Sequence, residues 1–209
     1  MLHVTTMELG VLETNCYVVH DDHEAVVIDP GGEPDKILSF LRANALTLTV
    51  ILNTHLHFDH IQGNAGLAEA TGAPILASSR DAFLLDTELG GGGMMGFPRT
   101  PAFHFEPLEE GEHAWLSTSC LVLATPGHSP GSMSFYFMEL SAVFAGDLLF
   151  YRSVGRTDFP GSSESELMRS VRTKIFTLPA ETVVYPGHGP RTTVGTESLN
   201  NPFFTEFVR

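Results

Sequence analysis

Four apolar runs in this chain each lead into a side chain of a type that binds metals. "LTVIL" (Leu48 to Leu52) leads to His55, "CLVLATPG" to His128, "AVFAG" to Asp147 and "TVVYPG" to His188. Runs of this length, rich in Val, Leu, Ile and Phe, predict buried strands. Imidazoles and carboxylates at the end of a buried strand are costly unless something pairs with them. In layered α/β folds the carboxyl edge of a sheet is where ligands bind, and its loops converge although their residues are far apart in sequence. The pattern therefore demands a fold that gathers four strand ends at one place.

The first of these ends is the most crowded. "THLHFDH" (Thr54 to His60) holds three histidines and an aspartate in seven residues. His55 and His57 are two apart, and residues i and i+2 of an extended segment point to the same side. Both imidazoles can therefore face one ion. Asp59 and His60 follow as the chain turns toward "GNAGLAEA", and they aim elsewhere, toward a second ion. His128 and His188 each follow a Pro-Gly pair, a tight turn that lets backbone come close to a site. The candidates number seven: His55, His57, Asp59, His60, His128, Asp147 and His188. One four-coordinate structural zinc has too few positions for them. Two ions sharing Asp147 use all seven and leave room for a bridging water. His3, His20, His23, His104 and His113 lack this context and read as surface or structural residues.

Elsewhere the pattern alternates strands with helices. "NCYVV" and "AVVID" predict strands, and "PGGEP" ends the second. "EPDKILSFLRAN" places Ile37, Leu38 and Leu41 on one helical face, and "GNAGLAEATG" predicts a short helix closed by Gly72. "SRDAFLLD" predicts another, with Ser79 as its cap. Glu88 to Phe105, with Gly90 to Gly93 and two prolines, predicts a loop, either a surface crossing or a mobile apolar wall over a site. "ESELMRSVRTKIFTL" is amphipathic, with Leu167, Val171 and Ile175 on one face. Two strand-rich halves with helices outside imply an α/β fold of four layers, an αββα sandwich.

Composition bounds the partners. The chain has 209 residues, and a single domain of residues 1–209 is expected, burying roughly 70% of its unfolded surface without disulfide staples. A net charge of −14 argues against nucleic acid and anionic membranes as partners, since binding them relies on Lys and Arg. Cys16 and Cys120 form no CxxC pair, which fits a reducing compartment. Cys16, after a strand-like stretch, reads as buried packing rather than as a reactive thiol. "MLHVTTMELG" lacks a basic start and an apolar core, so no signal peptide is expected, and no run of 18 apolar residues predicts a membrane span. The expected address is the cytoplasm. No G-x-S-x-G motif points to acyl-enzyme chemistry.

The motif order resembles the metallo-β-lactamase superfamily. "THLHFDH", "TPGHSPGS", "FAGDLLF" and "YPGHGP" stand in that family's order, and "TNCYVV" and "VVIDPGG" resemble its opening strands. Within the family, Asp147 stands where two-zinc β-lactamases usually carry cysteine, which argues against antibiotic hydrolysis, and the negative charge argues against the nuclease branches. "GDLLFYRSVGRTDFPG", "PGHGPRTTVGTE" and "NNPFF" are similar to glyoxalase II-like hydrolases of a short bacterial branch. The chain stops at Arg209, without the added helical domain of full-length glyoxalase II, so a broader thioester range is expected. The resemblance implies two divalent ions, zinc first, with iron or manganese also suited to these ligands. His55, His57 and His128 would hold one, Asp59, His60 and His188 the other, with Asp147 bridging. Asp59 and Asp147 are thereby also the catalytic carboxylates. Water activated by the ions would attack S-lactoylglutathione or a related small-molecule thioester, giving an acid and a thiol. Arg156 stands where the resemblance puts a glutathione-binding basic residue. Two rivals are carried. "GRTDF" is also similar to persulfide dioxygenases, which use one iron, here on His55, His128 and Asp147. A non-catalytic metal-binding protein of the same fold is the other.

Overall fold

The structure is a computed structural model, and it describes residues 1–205. The chain groups into two compact units, residues 1–108 with 114–118, and residues 109–113 with 119 onward.

The first unit carries a six-stranded sheet in the order β1 (His3–Leu9), β2 (Thr14–His20), β3 (Glu24–Ile28), β4 (Thr47–Leu52), β5 (Ile75–Ala77) and β6 (Glu106–Pro107). β1, β2 and β3 form an antiparallel meander, and β3 through β6 run parallel. The parallel steps need crossovers, and helices supply them. α1 (Pro34–Ala43) starts with proline at its first turn, where no N–H is needed, and buries Ile37 and Leu41. α2 (Phe58–Ile61) is a single turn, and α3 (Asn64–Thr71) ends on Gly72 in the left-handed region, as its sequence predicts. Ile37, Leu41 and Leu67 pack on Val18, Ala25, Val27 and Ile51, alternate residues of three neighbouring strands. Each such aliphatic side chain contributes about 1.5–3 kcal/mol by leaving water.

Two expectations are corrected here. The cap at residues 79–86 is Ser78, whose hydroxyl accepts from Arg80 N–H, and the element is a 3₁₀-helix. The segment after it is not wholly a loop. It holds α4 (Glu88–Gly91), capped by Thr87, a 3₁₀ turn at Met94–Gly96, and a bridge between Gly92 and Arg99. Glycine runs defeat sequence reading because left-handed turns, seen at Gly92, Gly93 and Gly96, can join short helical turns as readily as coil.

The second sheet has the order β14 (Thr192–Thr193), β13 (Val183–Pro186), β10 (Ala142–Gly146), β9 (Met133–Phe137), β8 (Thr118–Ala124), β7 (Gly111–Trp115). β8, β9 and β10 are antiparallel neighbours, and β10 pairs with β13 in parallel. A small ribbon of β11 (Leu149–Phe150) and β12 (Ser153–Val154) follows β10. α5 (Glu164–Ser170) runs directly into a π-helical turn, Val171–Ile175, and α6 (Val194–Asn200) closes the described chain. Leu167, Val171 and Ile175 are fully buried and pack on Val143, Ala145 and Val184 of β10 and β13. Both cysteines are buried and free. Among the described residues no helix is long and apolar enough to cross a membrane.

Candidate metal centre

The first unit presents its histidines just past the end of β4. Strand geometry stops at Leu52, and residues 53–57 run irregularly into α2, for which His57 is the N-cap residue. The His55 ring lies 4.5 Å from that of His57 and 4.1 Å from that of His60, centroid to centroid. All three are buried. Asp59 Oδ2 stands 3.5 Å from His60 Nε2 and accepts a hydrogen bond from Thr14 Oγ1 at 3.2 Å.

What holds these rings is a buried carboxylate that the sequence reading did not single out. Asp29, just past the end of β3, accepts from Thr54 N–H at 2.7 Å, from Thr54 Oγ1 at 2.6 Å and from His60 Nδ1 at 3.0 Å. The Thr54 hydroxyl proton is thus committed to Asp29, so its oxygen accepts from His55 Nδ1 at 3.0 Å. Both imidazoles therefore carry their proton on Nδ1 and present Nε2 with its lone pair, the tautomer a metal ligand needs. Asp81, also fully buried, accepts from Leu56 N–H at 3.2 Å, fixing the residue between His55 and His57. Ligand atoms of Asp29, His55 and His60 lie within 4.8 Å of one another. The signal for Asp29 was present in "AVVID". It is an acid at a strand end, the same feature that singled out Asp147.

The second unit repeats this logic. His128 Nε2 is 3.6 Å and His188 Nε2 3.7 Å from the same atom, Asp147 Oδ2. His128 Nδ1–H donates to the carbonyl of Arg156 at 2.8 Å, so its Nε2 also keeps a lone pair. Gly127 N–H and C=O bond Ser129 O (3.1 Å) and Ser163 N (2.8 Å), and its φ of 144° with the backbone of Leu167 close by leaves no room for a Cβ. Gly187 N–H donates to Gly146 O at 2.8 Å, tying the ends of β13 and β10 so that His188 comes beside Asp147. The approach of Gly187 lies beside the site, as its Pro-Gly pair predicts, whereas that of Gly127 is to the α5 backbone. Gly155 packs so tightly under the Asp147 carbonyl that a Cβ would collide with it. Phe150 stands edge-on to His188, and Phe159 edge-on to His128.

A further buried acid organises this half from behind. Glu197 in α6 accepts from Thr192 Oγ1 at 2.6 Å, Asn201 Nδ2 at 2.8 Å and Arg152 N–H at 3.0 Å. Asn201 Nδ2 also donates to Ser153 O at 3.0 Å. The ribbon that leads to Gly155 and Arg156 is thus clamped by α6. Arg156 meets the candidate ligand His128 through its backbone carbonyl. Its guanidinium grips exposed Asp158 with two bonds of 2.7 Å and lies 4.1 Å from the centre of the Phe159 ring. That ion pair raises the Arg156 pKa and lowers that of Asp158. Arg152 is turned away, its side chain donating to Asn200 O. Burial, and then the charge of Asp29, push the Cys16 thiol up, which suits packing rather than nucleophilic chemistry.

The donor set of buried imidazoles with Nδ1 anchored, together with carboxylates, fits divalent transition-metal ions and disfavours Mg²⁺ and Ca²⁺, which take oxygen ligands.

Comparison with known proteins agrees. The model of the metallo-beta-lactamase superfamily matches residues 9–188. A protein of Bacillus subtilis named as a probable metallo-hydrolase is 38% identical over 208 residues, covering 96% of this chain and 97% of that one. The hydroxyacylglutathione hydrolase GloC of Haemophilus influenzae is 34% identical over 207 residues, covering 97% and 98%. Among solved structures, the B3 metallo-beta-lactamase BLEG-1 superposes with a TM-score of 0.89 at 38% identity, over 98% of this chain and 100% of that one. TTHA1623 in a di-iron-bound form gives 0.85 at 40% identity, over 95% and 99%. With its motifs in order and relatives matching along nearly its whole length, this chain belongs to the metallo-β-lactamase superfamily and has its fold, an α/β sandwich of sheets flanked by helices.

Proposed function

We propose that the protein is a metal-dependent hydrolase of acyl thioesters, glyoxalase II-like, that cleaves S-lactoylglutathione or a related thioester to a carboxylic acid and a thiol. The observation that carries this reading is Asp147, a single carboxylate oxygen reached by the Nε2 atoms of two histidines, in a chain that supplies four more donors from "HLHFDH". The likeness to a hydroxyacylglutathione hydrolase supports it. His55, His57 and His128 would hold one divalent ion and Asp59, His60 and His188 a second, with Asp147 serving both. Zinc is the first choice, and iron or manganese suit the same ligands. Such ions would lower the pKa of bound water to roughly 7 and polarise a carbonyl oxygen.

The protein's own groups prepare this chemistry. Asp29, Thr54 and the Arg156 carbonyl hold the Nδ1 protons of His60, His55 and His128, so that these three imidazoles need not change tautomer to bind metal. Thr14 fixes the Asp59 carboxylate. His188 is the open side of its set, with a side chain 30% exposed. Arg156 is the proposed substrate cation. Exchanging Asp158 for a substrate carboxylate keeps the same two-bond geometry. Arg156→Ala is expected to raise KM for S-lactoylglutathione about 10-fold, about 1.4 kcal/mol of binding, with kcat and metal content little changed. An unchanged KM would leave Arg156 as a loop brace.

Metal analysis combined with two assays tests the main reading. Two ions per chain and thiol release from S-lactoylglutathione are expected. Chelation should abolish activity and lower the melting temperature, since metal at ~1,000 times its dissociation constant contributes ~4 kcal/mol. Full activity with one iron per chain, and oxygen uptake with glutathione persulfide, would instead select a mono-iron dioxygenase. The likeness to a B3 metallo-beta-lactamase favours one second reading, hydrolysis of a β-lactam amide, which a chromogenic cephalosporin assayed beside the thioester would reveal.

A further inference from the structure

Inside the first unit a cavity of about 400 Å³ opens between the β1–β2 turn at Gly10 and Val11, the Gly31–Gly32 loop, Phe58 and Pro98, with Asp59 in its wall. Its size lies within the ~300–1,000 Å³ range of small-molecule sites. The floor is bare backbone. A Cβ at Gly31 would collide with the carbonyl of Asp59, and one at Gly32 would crowd Gly10. The sides are apolar and braced. Phe58 stacks on Phe97 with ring centroids 5.2 Å apart, and the Pro98 carbonyl accepts from Gln62 Nε2 at 2.9 Å. Val11 is 58% exposed on the turn, and Leu12 beside it is 41% exposed. Val11 lines the cavity, so an apolar side chain stands at its mouth.

The charge of this cavity is as informative as its shape. Its lining holds two carboxylates, Asp59 and Glu33, and no cation. Glu33 stays ionised because Lys36 Nζ at 2.6 Å and the Gly10 N–H at 3.2 Å both stabilise its charge. With Glu33 paired to Lys36 and Asp59 assigned to an ion, the lining offers no cation to a further carboxylate, which would lose water there without a partner, whereas a hydrocarbon chain would not.

We propose that this cavity receives the acyl half of the thioester and selects uncharged, apolar acyl chains longer than lactoyl, excluding acyl groups that end in a carboxylate. The proposal rests on the thioesterase reading and adds the substrate class to it. Asp59 joins the two, as a residue with a metal-type carboxylate that also lines the cavity. Each methylene buried in the cavity is expected to raise kcat/KM up to about fourfold.

The test uses the metal-loaded enzyme and thioesters of one uncharged thiol, N-acetylcysteamine, so that only the acyl group varies. The hexanoyl ester is expected to exceed the acetyl ester at least 30-fold in kcat/KM, and the succinyl ester to fall at least 10-fold below the butyryl ester. Val11→Asp, on an exposed turn, should cut the hexanoyl-to-acetyl ratio at least fivefold. A flat chain-length profile, or a ratio unmoved by Val11→Asp, overturns the proposal while leaving a thioesterase. If no thioester is cleaved, the thioesterase reading fails, and the cavity is judged by calorimetry with the ketone in which CH₂ replaces the sulfur of the hexanoyl ester. Binding that Val11→Asp weakens at least fivefold upholds the cavity assignment. Absent or unaltered binding sinks it.

Discussion

Asp147→Asn is expected to reduce the metal content from two ions per chain to one or fewer and to lower kcat for thioester hydrolysis about 1,000-fold or more. The substitution keeps the size of the side chain and removes its charge. Asp147 Oδ2 lies 3.6 Å from His128 Nε2 and 3.7 Å from His188 Nε2, so it is a point at which one side chain can serve two ions. An amide is a much poorer ligand than a carboxylate, and its NH₂ would turn two donor hydrogens toward whatever the imidazoles hold. The charge stabilisation that metal ions give a transition state amounts to several kcal/mol, and ~4 kcal/mol corresponds to ~1,000-fold in rate. Elemental analysis and thiol release on the same sample check both halves. A variant that retains two ions and works within tenfold of the parent would remove Asp147 from the bridging role.

The second large effect is expected at Asp29, and two substitutions separate its two duties. Asp29→Ala strips acceptors from Thr54 N–H, Thr54 Oγ1 and His60 Nδ1, all buried. A buried polar group left without its partner costs about 1–3 kcal/mol, so a loss of about 3–5 kcal/mol of folding stability is expected. Alanine also tolerates the φ of 50° at this position less well than aspartate does. For a chain of this size the melting temperature should fall by roughly 10 °C. Asp29→Asn is nearly isosteric, and an amide oxygen can still accept from Thr54 N–H. Its NH₂ then faces His60 Nδ1, which must accept, and the imidazole proton moves to Nε2, where a metal must bind. This variant is expected to fold with a much smaller loss of stability yet to bind metal 10- to 100-fold more weakly, the usual effect of losing the partner that orients a ligand. Metal titration of the two apo-proteins followed by thermal melts tells the cases apart. Equal metal affinity in Asp29→Asn and the parent would show that Asp29 only braces the fold.

Much of the site could be read from residue types and local spacing. His55 and His57 are two apart in an irregular extended stretch, and their rings do come together. The Pro-Gly pair before His188 does bring backbone close to the site, Gly187 against Gly146, while Gly127 packs instead on Leu167 of α5. Helices with clear periodicity were equally legible, because Leu167, Val171 and Ile175 lie on one face whether the turn is α or π. The sequence was silent where a side chain's meaning depends on a partner distant along the chain. Asp29 is 25 residues from Thr54 and 31 from His60, and Glu197 is 45 from Arg152. The place of Asp29 at a strand end is a local mark, but which groups it accepts from is not. Arg156 is the converse case. Its type suggested a free cation, and only the fold revealed that Asp158 occupies its guanidinium while its carbonyl orients His128.

The sequence by itself therefore determined the main strands and the helices of clear periodicity, and it singled out side chains of metal-binding type, because hydrophobic periodicity and ligand spacing are local properties of a chain. Tertiary structure alone decided which nitrogen of His55, His60 and His128 carries the proton, which oxygen holds it there, and where an apolar cavity lies beside Asp59. Hydrogen bonds and cavities need groups within a few ångströms of each other, and strands far apart in sequence come that close only once the chain has folded.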